Sequence, residues 1–172
     1  MNNHRMCKMV FDTLSKSSID RATLTKADSV TFEYYLGRYE LHHLNFRKAR
    51  ELLLRCFDRC YPQAFKEKRY SAQLDLLSYR LILIFLVAAS LPIGIFPSAQ
   101  LLQRYSLDHI FGPIIQSVQE GNFELLSAAL YGEHRGWLRY MGLWLLFQER
   151  LETLCWRVFI RKLFLILYLF YI

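Results

Sequence analysis

One helical periodicity constrains this chain more than any other feature of its sequence. Between residues 46 and 60, six apolar residues repeat at spacings of 3, 1, 3, 1 and 3: Ala49, Leu52, Leu53, Cys56, Phe57 and Cys60. This spacing places all six on one face of an α-helix. No alternation of period two, which would indicate a β-strand, persists anywhere in the 172 residues. The sequence therefore predicts an all-α protein.

A second amphipathic helix precedes this one. Its apolar residues fall at offsets of 0, 3, 4 and 7, and they are Phe32, Tyr35, Leu36 and Tyr39. Gly37 lowers helix propensity, so its presence indicates close approach by the next helix. Asn45 is expected to cap that helix through its side chain. A turn of two or three residues then joins the pair into an antiparallel hairpin, the unit from which helical solenoids are stacked.

Prolines and glycines divide the rest of the chain into further helices. A short helix over 6–15 and a polar connector precede the hairpin. After it we expect helices over 70–91, 98–104, 107–120, 123–134 and 137–148, and a last one from 151. Gly121 suits the left-handed position after a helix, and Asn122 caps the helix that follows. The sequence thus predicts seven or eight paired helices in an arrangement resembling a tetratricopeptide-type solenoid.

Basic residues are concentrated in the first part of the chain. Residues 1–69 hold 14 Lys and Arg against 8 Asp and Glu, whereas residues 70–172 hold 8 against 7. Nucleic-acid phosphates favour such a stripe of cations. The negative charges of Glu51, Asp58 and Glu67 weaken the positive potential of this stripe. The competing interpretation is that these cations form the solvated faces of ordinary helices. The candidate nucleic-acid-binding residues are Arg47, Lys48, Arg50, Arg55, Arg59, Lys66, Lys68 and Arg69.

The sequence predicts neither an enzyme nor a cofactor or metal site. It contains no Gly-x-Ser-x-Gly, phosphate loop or Gly-rich dinucleotide turn. Cys56 and Cys60 stand four apart on a helix, with His42 and His43 just before it, which is a spacing that zinc can use. Both cysteines lie on the apolar face, however, where free cysteine behaves as a small buried hydrophobe.

Targeting and membrane signals are weak. No apolar run of signal-peptide type follows the N-terminal residues, so we expect a protein that is not secreted, with reduced cysteines. The apolar stretches 81–96 and 163–172 both fall short of the roughly 20 residues that a span needs. The first is expected to be a buried helix, and association with a membrane is not expected.

An ordered set of segments resembles the PCI domain family. The run from Ser117 to Leu130 (SVQEGNFELLSAAL) contains the acidic-Gly-Asn break before a short helix that is typical of these domains. The segments 31–38, 46–49, 81–86, 139–151 and 155–163 follow the family's order over about residues 5–163. Within the family, they are similar to the PCI subunit of the transcription-and-export complex two, some fungal relatives of which are named as subunit twelve of the COP-nine signalosome.

The resemblance implies a scaffold that binds other proteins. Family members pair with a large scaffold subunit and a small acidic subunit, take no small-molecule substrate, and act in the nucleus and at nuclear pores, with some in the cytoplasm. They couple transcription to messenger RNA export. A winged-helix module completes the domain and contributes RNA or double-stranded DNA binding. A signalosome- or proteasome-lid-type scaffold and a small membrane-associated helical protein are the alternatives.

Three departures from the family pattern define the expected domains. The chain starts inside the helical array, so residues 1–28 provide only a short helix and a connector. Residues 29–162 form the helical-repeat region, within which 70–80 has no counterpart and is interpreted as a retained intron or a lineage insertion. After Lys162 the winged helix is missing, and residues 163–172 are interpreted as an aberrant apolar tail with nothing to pack on.

Overall fold

The structure is a computed structural model that describes residues 9–11, 13, 26–64 and 72–170. All the regular elements among these residues are helices, which confirms the expected all-α class. The chain divides into two compact units, residues 1–89 and residues 90–172. Residues 9–11 and 13 are helical, in agreement with the short helix expected over 6–15. The polar connector was predicted over 15–28, but residues 26–28 already belong to the helix Lys26–His42. The rest of the predicted connector and the first two residues of the predicted insertion lie outside the described residues.

The first unit contains helices α1 (Lys26–His42), α2 (Phe46–Ala64) and α3 (Ala72–Ser90, whose last residue opens the second unit). α1 and α2 form the expected antiparallel hairpin, because the end of α1 contacts the start of α2 and the start of α1 contacts the end of α2. Lys48 meets Glu40 near the turn, and Arg59 meets Ser29 at the far end. α3 contributes aromatic contacts, with the ring centroids of Phe57 and Tyr79 6.2 Å apart.

The close approach predicted at Gly37 is confirmed. A Cβ atom at this position would lie 2.8 Å from Leu53 Cγ, so only glycine lets α2 pack this closely. On α2 the expected apolar face is also confirmed, since Ala49, Leu53 and Cys56 are fully buried. The buried face of α1 differs from expectation. Tyr35 is 55% exposed, because the hairpin contact is centred on the strip containing Gly37 and Leu41.

The second unit begins with a 3-10 turn (Leu91–Ile93) and continues with helices α4 (Ala99–Arg104), α5 (Asp108–Glu120), α6 (Phe123–Tyr131), α7 (Arg135–Tyr140) and α8 (Trp144–Phe170). The first half of α8 packs on α5, and the fully buried rings of Phe111 and Phe147 meet edge to face with centroids 6.2 Å apart. Leu151 and Cys155 extend this buried face of α8, as the sequence predicted.

Several helices end in the same left-handed turn. In each, the residue after the left-handed position donates its backbone N–H to a carbonyl five residues earlier, which is the Schellman arrangement. Glycine takes the left-handed position at residues 94, 121 and 142, whereas Leu44 (φ 62°) and Ser106 (φ 52°) take it elsewhere. Asn122 accepts a hydrogen bond from the Leu125 N–H, which confirms its predicted cap.

The turn at Gly142 corrects one sequence prediction. A single helix was expected over 137–148, but α7 ends at Tyr140 and α8 begins at Trp144. Gly142 has φ +73°, and the Leu143 N–H returns to the Leu138 carbonyl, so the helix cannot continue through this point. Leu145, just after the start of α8, is 59% exposed.

Candidate interaction surfaces

The predicted basic residues of α2 lie on its solvent side and its two edges. We call Arg47, Lys48, Arg50, Arg55 and Arg59 the basic face. Four of them are exposed, whereas Arg50 is half-buried. The remaining candidates, Lys66, Lys68 and Arg69, lie outside the described residues. Five of the eight candidate cations therefore lie on one helix, α2.

Carboxylates neutralise much of the basic face. Glu33 Oε1 lies 3.1 Å from Arg59 Nη1 and 3.7 Å from Arg55 Nε. Arg55 also pairs with Glu51 at 3.1 Å, as the i,i+4 spacing predicted. Lys48 is paired with Glu40. Cations already satisfied in this way have less to gain from a phosphate, because binding would require breaking or sharing an existing ion pair.

Glu40 organises the turn of the hairpin. Its carboxylate is 8% exposed, and its Oε2 accepts a hydrogen bond of 2.7 Å from Asn45 Nδ2. Burial alone would raise the pKa of this carboxyl. The hydrogen bonds from Lys48 and Asn45, with the charge of Lys48, outweigh burial, and the net pKa is lowered from its ordinary value. The ionised carboxylate thus holds the start of α2 against the end of α1.

A cavity of about 600 Å³ lies within the first unit. It is lined by residues of α1, α2 and α3 that include Val30, Tyr34, Cys56, Arg59, Cys60 and Ile82. Cys56 Sγ approaches the Val30 carbonyl at 3.5 Å. A hydrogen bond with Cys60, together with burial, raises the pKa of the Cys56 thiol. Among the described residues, no group of three His, Cys, Asp or Glu side chains is placed to hold a metal ion.

An arginine–aromatic cluster on the second unit was missed by sequence reasoning. It consists of Tyr131, Arg135, Arg139 and Trp144, contributed by α6, α7 and α8, and the exposed Tyr140 follows Arg139 in the sequence. The Arg139 guanidinium lies 4.8 Å from the Trp144 ring centroid, and that of Arg135 lies 5.4 Å from the same ring. Arg135 also lies 5.3 Å from the Tyr131 ring, which meets Trp144 edge to face. These contacts order two guanidinium groups at the surface.

Hydrogen bonds fix the base of the cluster while its outer part stays open. The Trp144 indole N–H donates to the Leu130 carbonyl (3.0 Å), and Gln148 Nε2 donates to the Tyr131 hydroxyl (3.0 Å). Tyr140 is 88% exposed, and Arg135 Nε is buried without a hydrogen-bond partner among the described residues. The cluster thus combines rigid aromatic groups with the exposed side chain of Arg139.

The acidic-Gly-Asn break is a docking point for α8. Gly121 has φ +69°, and a Cβ there would lie 2.9 Å from the backbone nitrogen of Phe159. The Glu120 carbonyl accepts a hydrogen bond from Lys162 Nζ at 3.1 Å. Phe123, just past the break, packs on the ring of Trp156 with centroids 4.3 Å apart. This motif therefore has a structural role in the second unit.

Beyond the docking point, α8 continues as an exposed apolar segment. Its side chains from Leu163 to Leu169 are all apolar or aromatic, and each is between 43% and 76% exposed. We call residues 163–169 the apolar segment. Over the described residues, no helix combines the length and hydropathy needed to cross a bilayer.

Comparison with known proteins gives related sequences across nearly the whole chain. It is 31% identical over 162 residues to a PCI domain-containing protein of Schizosaccharomyces pombe, and 31% identical over 162 residues to PCI domain-containing protein 2 of Xenopus laevis; both alignments cover 94% of this chain. The chain belongs to the PCI domain-containing protein 2 family. The enhanced ethylene response protein 5 of Arabidopsis thaliana is 30% identical over 161 residues, which cover 93% of this chain.

The match extends over only part of each family member. The chain spans 34% of the S. pombe protein, 37% of the X. laevis protein and 36% of the A. thaliana protein. No family model matches the chain. PCI domain proteins generally act as scaffold subunits of protein complexes.

Proposed function

We propose that this chain is a helical scaffold module of a nuclear complex that couples transcription to messenger RNA export at the nuclear pore. Family membership supports the scaffold role. The choice of complex is supported by the resemblance of the sequence segments to the PCI subunit of the transcription-and-export complex. The observation that carries the proposal is the arginine–aromatic cluster, because it provides a specific surface for a protein partner.

The composition of this cluster is that of a protein–protein hot spot. Tyr, Trp and Arg are the residues most enriched among those that dominate binding energy. The aromatic contacts hold Arg135 and Arg139 in place before a partner arrives, so little side-chain entropy remains to be lost on binding. Tyr140 follows Arg139 in the sequence and is almost fully exposed, and a partner that covers it would bury a large amphipathic ring. We assign the large scaffold subunit of the export complex to this surface.

Binding to that large subunit tests the proposal. Tyr140→Ala and Arg139→Ala are expected to weaken binding by about 30-fold or more each, the effect of losing about 2 kcal/mol at a hot spot. Both side chains are exposed, so truncation should leave the fold intact. Affinity is measured by isothermal titration calorimetry with the full chain.

Tyr35→Ala is the matched control, since Tyr35 is also an exposed tyrosine on a helix but lies in the first unit. It should bind like the unmodified chain. If the Tyr140 and Tyr35 variants bound the partner with equal affinity, the cluster would not be part of the interface. No binding of the unmodified chain would refute the assignment of this partner.

Nucleic-acid binding through the basic face is a second candidate function. Arg47 favours it, because this exposed arginine has no carboxylate within ion-pair distance among the described residues. We expect weak binding of single-stranded RNA that falls as salt rises, and Arg47→Ala should reduce the salt slope by about one. Lys48→Ala should change the slope less, since Lys48 is paired with Glu40. Binding that is unchanged between low and high salt would exclude this function.

A further inference from the structure

The apolar segment is exposed around the whole circumference of the helix. Its seven consecutive side chains cover all directions around the α8 axis, and the least exposed, Leu163, is still 43% exposed. A docking groove covers one stripe of a helix, whereas a helix that is apolar all round is buried either in the core of a large protein or in a membrane. The charged residues that flank the segment distinguish between these two environments.

Basic residues form a collar immediately before this segment. Arg157 and Arg161 are one turn apart on α8 and both are exposed. Lys162 follows, with its ammonium group held by the Glu120 carbonyl. Trp156 lies at the same level and is 49% exposed. Cations and an indole beside an apolar helix are the groups that sit at the headgroup level of a membrane.

The length of the exposed helix fits one leaflet. From Leu163 to Phe170, eight helical residues extend about 12 Å at 1.5 Å per residue. One leaflet contributes roughly 15 Å of hydrocarbon, half of the 30 Å core. These eight residues alone are fewer than the roughly 20 that a membrane span needs. Its backbone hydrogen bonds are satisfied within the helix, as insertion requires.

We infer that the end of α8 inserts into one leaflet of an anionic membrane, with Arg157 and Arg161 at the headgroups. The occupant of the exposed surface is lipid, and the anionic charge of the headgroups complements the collar. This binding is separate from the arginine–aromatic cluster and from the basic face, and it goes beyond the proposed scaffold function.

Flotation with vesicles tests this inference on the full chain. Vesicles of phosphatidylcholine with 30% phosphatidylserine should carry the chain upward, and vesicles of pure phosphatidylcholine should carry less. The double variant Phe164→Ser with Leu167→Ser should lose flotation with both vesicles. The control Leu145→Ser changes an equally exposed leucine of α8 outside the segment and should float like the unmodified chain.

A second variant tests the collar. Arg157→Gln with Arg161→Gln should weaken partitioning onto the anionic vesicles by about 25-fold, about fivefold for each cation. Its partitioning onto neutral vesicles should not change. Far-ultraviolet circular dichroism checks that the helical core of each variant is intact, which is expected because all five altered side chains are exposed.

Several results would overturn the inference. If the unmodified chain did not float with anionic vesicles, a protein groove rather than lipid would cover the apolar segment. Equal flotation of the Phe164 and Leu167 double variant would show that lipid binds elsewhere. A dimer in light scattering that depends on the segment and does not float would assign the surface to a second copy of the chain.

Discussion

Replacing Gly121 by alanine tests the docking of α8 in the second unit. An L-residue in the left-handed conformation costs about 1–2 kcal/mol. The new Cβ would also lie 2.9 Å from Phe159 N and 3.0 Å from Phe159 Cα. These are backbone atoms that cannot rotate away, and forced overpacking of this kind costs about 1–3 kcal/mol more. We expect Gly121→Ala to lower the free energy of unfolding by about 2–5 kcal/mol.

Urea unfolding followed by tryptophan fluorescence measures this loss. All three tryptophans of the chain belong to the second unit, so the signal reports the unit that contains Gly121. Gly94→Ala separates the two contributions, because Gly94 has φ +77° but open space around its Cβ direction. It should cost only the backbone part, about 1–2 kcal/mol.

Gly136→Ala completes the comparison. This helical glycine has neither a positive φ nor a neighbour within 4 Å, so alanine should be neutral or stabilise by up to about 1 kcal/mol. The reasoning would be refuted if Gly121→Ala were no more destabilising than Gly94→Ala. In that case, α8 would not be held by its contact with the turn.

Three further predictions concern the helix ends and the hairpin. Gly37→Ala should lower the free energy of unfolding by about 1–3 kcal/mol, because its Cβ would lie 2.8 Å from Leu53 Cγ. A double-mutant cycle with Leu53→Ala should show a coupling energy of at least about 0.5 kcal/mol, and additive losses would contradict the contact. Leu44→Gly and Ser106→Gly should each stabilise by about 1 kcal/mol in urea unfolding, since both residues adopt positive φ; a loss of stability would show that the side chains matter more than the backbone strain. The lowered pKa of Glu40 means that its stabilising contribution is fully present above the ordinary value of 4.5 and is lost as pH falls through the folded-state pKa. The stability difference between the unmodified chain and Glu40→Gln should therefore shrink between pH 6 and pH 3, and a constant difference would argue against the ionised carboxylate.

Local periodicity predicted the hairpin well but not its ion pairs. The spacing of apolar residues on α2 and the small side chain at Gly37 are local signals, and both were confirmed. The pair between Glu51 and Arg55 was also predictable, because i,i+4 neighbours depend only on the helix. The pair between Glu33 and Arg59 depends on the register of two helices, which the sequence does not contain in local form. For this reason the basic face looked more strongly cationic than it is.

The arginine–aromatic cluster escaped prediction for a related reason. Reading 137–148 as one helix placed Trp144 about two turns beyond Trp137, on a continuous rod. The left-handed turn at Gly142 instead folds α8 back, so that Trp144 reaches Tyr131 and Arg135. A glycine within an apolar periodic stretch was the available signal. Propensity alone treats such a glycine as a weak cost rather than as the end of a helix.

Because α8 is docked at Gly121, the last part of this helix is anchored at one end only. Lys162 is the final residue whose hydrogen bond ties α8 to another element among the described residues, and the residues after it depend on their own backbone bonds. A short unsupported helical end frays in water. Amide hydrogen exchange should therefore be slow up to Lys162 and faster in the residues after it. Any environment that slows exchange past this point must be supplied from outside the second unit.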